Sequence, residues 1–259
     1  MVDGVFVLRS LFLYGDIGPN FDTTSFPFVE KAGGAAARIV VLGLRVPTWD
    51  VYFNRVFRER WATGGTHDVK SITPDEHYEF DSCAYETLQT CTGLLICGGD
   101  TRQYYKACVS NVKMKETIND LYTRGAPIAG VSAGALIATS PCTIWGSRVT
   151  GANNKYTVRS KYDPACQEQE LVTGEGLGLL SGCIVEPHFS EFGGFPRLVA
   201  SMQKTSAEIG LGVDEPICLE ITDEFRVVVH GTGRAYYIKK LTDDFTVRVF
   251  EPNEEFRLL

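Results

Sequence analysis

The stretch Ile128-Ala-Gly-Val-Ser132-Ala-Gly-Ala-Leu-Ile-Ala138 decides how this chain is read. Ile128–Val131 is a short apolar run behind the punctuation of Gly125 and Pro127, and it reads as a buried strand. Ala133–Ala138 suits the start of a helix. Ser132 therefore falls at a strand-to-helix turn, flanked by Gly130 and Gly134, whose missing Cβ atoms allow a sharp bend. A serine so placed pushes its hydroxyl into a cleft, above helix N–H groups that suit a developing oxyanion. The same residues also fit a Gly/Ala-rich turn packed closely in a sheet, and both readings stand at this point.

Outward from this turn, short apolar runs alternate with helical stretches. Strands are expected at 38–43, Asp68–Ile72 and 93–97, and helices at 49–61, 83–91 and from Met114 to the C-cap residue Gly125. Such alternation indicates a parallel sheet covered on both faces. From about Ile209 the pattern changes to short strands at 217–221, 225–230, 235–238 and 246–250, joined by turns such as Gly231-Thr-Gly233. The expected fold is α/β: a three-layer sandwich with a mostly parallel central sheet and a C-terminal antiparallel extension. Repeats, low-complexity tracts and Pro/Ser-rich linkers are missing, so residues 1–259 are expected to form one domain.

Composition narrows the classes. The chain has 259 residues, 44% of them hydrophobic, enough for a sizeable core. Against 32 acidic residues stand 25 basic ones, with no dense Lys/Arg run, which argues against nucleic acid as a partner. The eight cysteines are scattered and include no Cys-x-x-Cys pair, so neither a disulfide framework nor a zinc site is expected. A reducing cytoplasm fits that usage. Residues 5–14 are apolar apart from Arg9 and Ser10 and follow Asp3 rather than a basic cluster, so they read as a strand and not a leader. No run approaches the ~20 apolar residues of a membrane helix, and no membrane partner is expected.

In a doubly wound sheet the chemistry collects at the carboxyl ends of strands. Gly98-Gly99-Asp100 ends one strand, and Asp100 suits a helix cap there as well as a site. Glu186-Pro187-His188 ends another. Only four histidines exist, and His67, His77 and His230 lie in exposed-looking or C-terminal sequence. That leaves His188 as the favoured general base for Ser132, although a lone histidine also serves structural roles. Gly210-Leu-Gly-Val-Asp214-Glu215 ends a third run, and either acid could orient and charge-stabilise an imidazole.

Taken together and in this order, the four motifs resemble the cyanophycinase and dipeptidase E family of serine peptidases, over roughly residues 35–240. The resemblance implies a class I glutamine amidotransferase-like sandwich in which serine replaces the amidotransferase cysteine. It implies Ser132 as nucleophile, His188 as base and Glu215, rather than Asp214, as acid. The backbone N–H groups of Gly99 and Ala133 would be the oxyanion donors. Asp100, Thr101, Glu186 and Arg197 fall where the family contacts substrate. Cyanophycinases carry glutamine where this chain has Thr101, and an Asp plus a polar residue where it has Glu186 and Pro187. Of their several arginines after the histidine only Arg197 remains.

The expected activity is a serine-type exopeptidase or dipeptidase acting on short peptides, with aspartyl or β-aspartyl bonds as one substrate class. A cationic partner for such an acid would come from Arg102, Arg197 or the stretch Arg148, Lys155, Arg159, Lys161, which also reads as a solvated loop. The alternatives are cyanophycinase proper, an esterase and a non-catalytic binding protein; a glutaminase would need cysteine at position 132. Cofactors and metals are not expected, and a homodimer is an admissible assembly.

Overall fold

The computed structural model describes residues 8–147, 169–242 and 244–258. Five strands build the parallel part of its main sheet: β1 (Ser10–Tyr14), β2 (Arg38–Leu42), β3 (Asp68–Ile72), β4 (Gly93–Ile96) and β5 (Ile128–Val131). They lie in the order β1-β5-β4-β2-β3. Every residue of β1, β4 and β5 is buried, as apolar runs with cover on both faces must be. The helix Phe21–Lys31 packs against β4. The helix Ala133–Ala138 packs against β5, and all six of its residues are buried.

Beyond β5 come two short pairs. β6 (Thr139–Ser140) joins β9 (Leu180–Ser181), and β7 (Cys142–Trp145) joins β8 (Val172–Gly174). A second sheet follows, from β10 (Cys183–Pro187), β11 (Ile209–Val213), β14 (Ala235–Lys240) and β15 (Phe245–Phe250). β12 (Ile217–Thr222), β13 (Arg226–Gly231) and β16 (Glu255–Arg257) instead extend the main sheet antiparallel beyond β1. The C-terminal strands expected as one extension are thus divided between two sheets. The chain crosses from the small sheet to the main one at residues 214–216, between β11 and β12. Ala133–Ala138 also touches β10, so this helix lies between the two sheets.

The helix expected over 49–61 forms, but as Trp49–Phe53 and Glu59–Thr63 joined by a π-helical turn at Asn54–Arg58. Trp49, Phe53, Phe57 and Trp61 recur every fourth residue, and successive rings pack 6.2, 6.3 and 5.5 Å apart. An ideal α-helix would rotate such a row by about 40° per step. The wider π turn offsets that drift and keeps the row on one face. Trp61 and Phe57 meet Phe21 there, fixing the first helix to this wall. Among the described residues, no helix is long and apolar enough to cross a membrane.

Candidate active site

Ser132 leaves β5 at φ 50° and ψ −108°, a conformation that L-residues rarely adopt. Its own amide donates to the Tyr14 carbonyl on β1 at 3.1 Å, and its carbonyl accepts from Leu136 at 3.0 Å. The flanking glycines are needed for close approach. A Cβ on Gly130 would sit 2.5 Å from the Gly134 carbonyl oxygen, and one on Gly134 would sit 2.2 Å from that of Ile96.

His188 follows the last residue of β10 in a left-handed conformation, φ 51° and ψ 37°. It is buried and stacks on Phe192 at 4.5 Å between ring centres. Its Nε2 lies 2.8 Å from Ser132 Oγ, and its Nδ1 lies 3.0 Å from Glu215 Oε1. A carboxylate only accepts, so Nδ1 carries the proton towards Glu215 and the Nε2 lone pair faces the serine hydroxyl. Asp214 is engaged elsewhere: its two oxygens accept from the Ser190 and Arg234 amides, each at 3.1 Å. Glu191 accepts from the Glu215 amide at 3.3 Å. Burial, with the nearby Asp214 and Glu215 charges, pushes the Glu191 carboxyl above its ordinary range.

Three segments thus converge. Ser132 comes from the main sheet, His188 from the small sheet, and Glu215 from the crossing between them. Ala133 is the first residue of its helix, so its N–H has no intrahelical acceptor. Among the described residues the Gly99 N–H also makes no backbone hydrogen bond.

A cavity of about 480 Å³ opens beside Ser132 and His188, lined among others by Asp16, Leu44, Trp49, Tyr52, Asp100 and Gln103. Cys97 also reaches it, but burial pushes its thiol up to about 12, so it remains protonated at neutral pH. Asp100 caps the helix Thr101–Tyr104 through the Arg102 amide at 2.9 Å and pairs with the Arg102 guanidinium at 2.6 Å. That hydrogen bond holds the Asp100 carboxyl below its ordinary range. Arg102 in turn lies 3.7 Å over the Trp145 ring. Thr101, Glu186 and Arg197 are not among the described residues that line this cavity. Arg197 donates instead to Glu186 at 2.5 Å and to the Gly146 carbonyl at 2.9 Å. Arg148, Lys155, Arg159 and Lys161 lie outside the described residues.

Three of the four histidines stand apart. His67 and His77 are exposed, and His230 Nε2 lies 2.9 Å from Glu220 Oε2 on neighbouring β12. The sequence reading passed over Asp16, Trp49, Tyr52 and Gln103. Asp16 carried one usable signal, its place just after Gly15 at the carboxyl end of a strand. Among the described residues, Asp16, His188 and Glu215 bring one potential metal-ligating atom each within 4.8 Å of one another. Both His188 nitrogens are already engaged by Ser132 and Glu215, so a cation bound there would break that hydrogen-bond series.

The family model described as Peptidase family S51 matches residues 52–228, more than half of the chain. The chain belongs to peptidase family S51. This S51 chain is 23% identical over 207 residues to a cyanophycinase of Synechococcus elongatus, covering 80% of the chain and 60% of that protein. It is 26% identical over 212 residues to a cyanophycinase of Geminocystis herdmanii, covering 80% and 71% respectively. It therefore spans about 60% of the length of the first of these relatives. Among solved structures, a peptidase from an acI-B1 Actinobacterium superposes with a TM-score of 0.70 at 16% identity, covering 97% of this chain and 98% of that one. A putative peptidase E protein from Listeria monocytogenes superposes at 0.56 and 14% identity, covering 87% and 100%. At these identities the structural likeness is one of fold.

Proposed function

We propose that this S51 chain is a serine-type exopeptidase that hydrolyses short peptides through Ser132, His188 and Glu215. The observation that carries the reading is the unbroken series from Ser132 Oγ through the His188 ring to Glu215 Oε1, at the edge of a cavity. Ser132 Oγ attacks the scissile carbonyl carbon while His188 Nε2 takes the hydroxyl proton. The oxyanion that forms faces the Gly99 and Ala133 amides. His188 then gives the proton to the departing amine, the C–N bond breaks, and an ester to Ser132 remains. Water attacks that ester, His188 takes its proton and returns it to Ser132 Oγ, and the acid leaves. Glu215 holds the tautomer and stabilises the imidazolium.

A cavity of about 480 Å³ accommodates a short peptide. The aspartyl and β-aspartyl alternative gains no support from it, because no Lys or Arg is among its described lining residues. Arg102 and Arg197 are each paired with a carboxylate. Cyanophycin cleavage is the second reading, favoured by the relatives' names and opposed by the missing arginines after His188. A reducing cytoplasm suits the described cysteines, all seven of which are free thiols.

The test is turnover of a dipeptide library that includes β-aspartyl bonds, run beside soluble cyanophycin and followed by fluorophosphonate labelling with intact mass. Cleavage of dipeptides with label on Ser132 supports the proposal. Preferential cleavage of cyanophycin replaces the substrate, and no cleavage with no label returns the chain to a non-catalytic role.

A further inference from the structure

The loop after β1 contributes Asp16 to the wall of the cavity that Ser132 and His188 open into. Its backbone amide donates to the Glu215 carbonyl at 3.1 Å, so the loop is tied to the crossing that carries Glu215. The Asp16 side chain is half-buried. Its carboxylate lies within 4.8 Å of potential ligand atoms on His188 and Glu215.

Other carboxylates around this site have partners. Glu215 faces His188, Asp214 accepts from two amides, Glu191 accepts from the Glu215 amide, and Asp100 and Glu186 each pair with an arginine. Asp16 differs. Among the described residues its carboxylate accepts no hydrogen bond and has no Lys, Arg or His partner within ion-pair distance. Two negative groups this close repel one another where water is partly excluded, and a cation entering beside Asp16 would relieve that repulsion. Among the described residues the cavity lining supplies no lysine or arginine, which leaves the substrate as a source of that cation.

We infer that Asp16 is a specificity-determining residue that anchors a positive group of the substrate beside the scissile bond. This rests on the peptidase reading for the word substrate, but not for the binding itself. Two sources share the chemistry: the α-ammonium of a free amino terminus, and the charged end of an arginine or lysine side chain. The amino terminus would make the enzyme count residues from the peptide's end, which is what an exopeptidase requires.

The experiment is isothermal titration on Ser132→Ala, which holds peptide without cleaving it. The probes are Ala-Leu, N-acetyl-Ala-Leu and N-acetyl-Arg-Leu. One charge-assisted contact predicts that Ala-Leu binds at least about tenfold tighter than its acetylated form if the amino terminus is the cation. The same margin for N-acetyl-Arg-Leu assigns the cation to the side chain. Either margin closes in Ser132→Ala/Asp16→Asn and returns in part in Ser132→Ala/Asp16→Glu, with thermal melts showing that both variants fold. A residue that merely stiffened the loop would weaken all three probes together. Equal binding of the three, no binding of any, or a margin that survives Asp16→Asn overturns the inference. Failure of the peptidase reading shows separately, as a wild-type protein that neither cleaves peptide nor takes the fluorophosphonate label.

Discussion

Glu215 Oε1 lies 3.0 Å from His188 Nδ1, whereas the adjacent Asp214 turns both oxygens onto backbone amides. One position therefore faces the imidazole and its neighbour fastens two loops. Glu215→Gln should lower kcat by about 10⁴-fold, the scale for losing control of the histidine tautomer, with little change in melting temperature. Asp214→Asn should keep most of the rate and lose ~1–3 kcal/mol of stability, because one of two amides loses its acceptor. Steady-state kinetics and thermal melts on the two variants read both halves. The opposite ranking in rate would assign the acid to Asp214.

Ser132 holds a conformation that suits glycine better than any L-residue. Ser132→Ala should lower turnover by roughly 10⁴ to 10⁶-fold while leaving the strain in place. Ser132→Gly should be as inactive but more stable than Ser132→Ala, by ~1 kcal/mol once relief of strain is set against the entropy of glycine. Chemical denaturation of the two variants checks the difference, and equal stability would mean that the turn is unstrained.

Arg197 and Glu186 are an ion pair with side chains 14% and 6% exposed, and one Glu186 oxygen has no hydrogen-bond partner. Arg197→Ala strands a buried carboxylate and should cost ~3–5 kcal/mol. Arg197→Ala with Glu186→Leu should recover much of that loss. Burial already raises the folded-state carboxyl of Glu186, opposed by Arg197. A carboxyl raised on folding contributes stability that is present below its unfolded pKa and lost as pH rises through the folded one. Without Arg197 the value climbs further. The stability gap between wild type and Arg197→Ala should therefore narrow at pH 4–5 and widen towards pH 8.

His230 and Glu220 pair across β12 and β13, away from the cavity. His230→Ala should leave turnover near wild type and reduce stability. The His230 hydrogen bond is the largest cause holding the Glu220 carboxyl below its ordinary range. That stability is present above the unfolded carboxyl pKa and lost as pH falls through the folded one, so the effect should shrink in acid.

The inner parallel strands were legible because both faces are covered: after Arg38, β2 and β4 leave only apolar residues for a reader to find, whereas the edge strand β3 keeps Asp68 and Lys70 exposed. Ser132 was legible through its two glycines, since close approach at Gly130 and Gly134 admits no side chain. His188 emerged because the other three histidines sit in polar or C-terminal sequence. Other features depend on contacts that no local pattern records. Asp214 and Glu215 are chemically equivalent until one knows which way the crossing turns, and only the family resemblance separated them beforehand. The division of C-terminal strands between two sheets is set by long-range pairing of β1 with β12 and β11 with β14. The π turn at Asn54–Arg58 resolves a four-residue aromatic spacing that the helical reading treated as ordinary. Asp16 was passed over because the residues that make it a cavity wall come from four other segments.

The buried helix Ala133–Ala138 is clasped between two sheets, and the hydrogen-bond series spans the same junction. Those three side chains therefore gauge how the layers are aligned, and a slip far smaller than unfolding would open the 2.8 Å and 3.0 Å contacts. In rising urea, hydrolysis should fade while the far-ultraviolet circular dichroism is still native, since layers can part locally before strands melt. A short peptide bridging the cavity would hold the layers together, so saturating substrate should shift that early inactivation to higher urea.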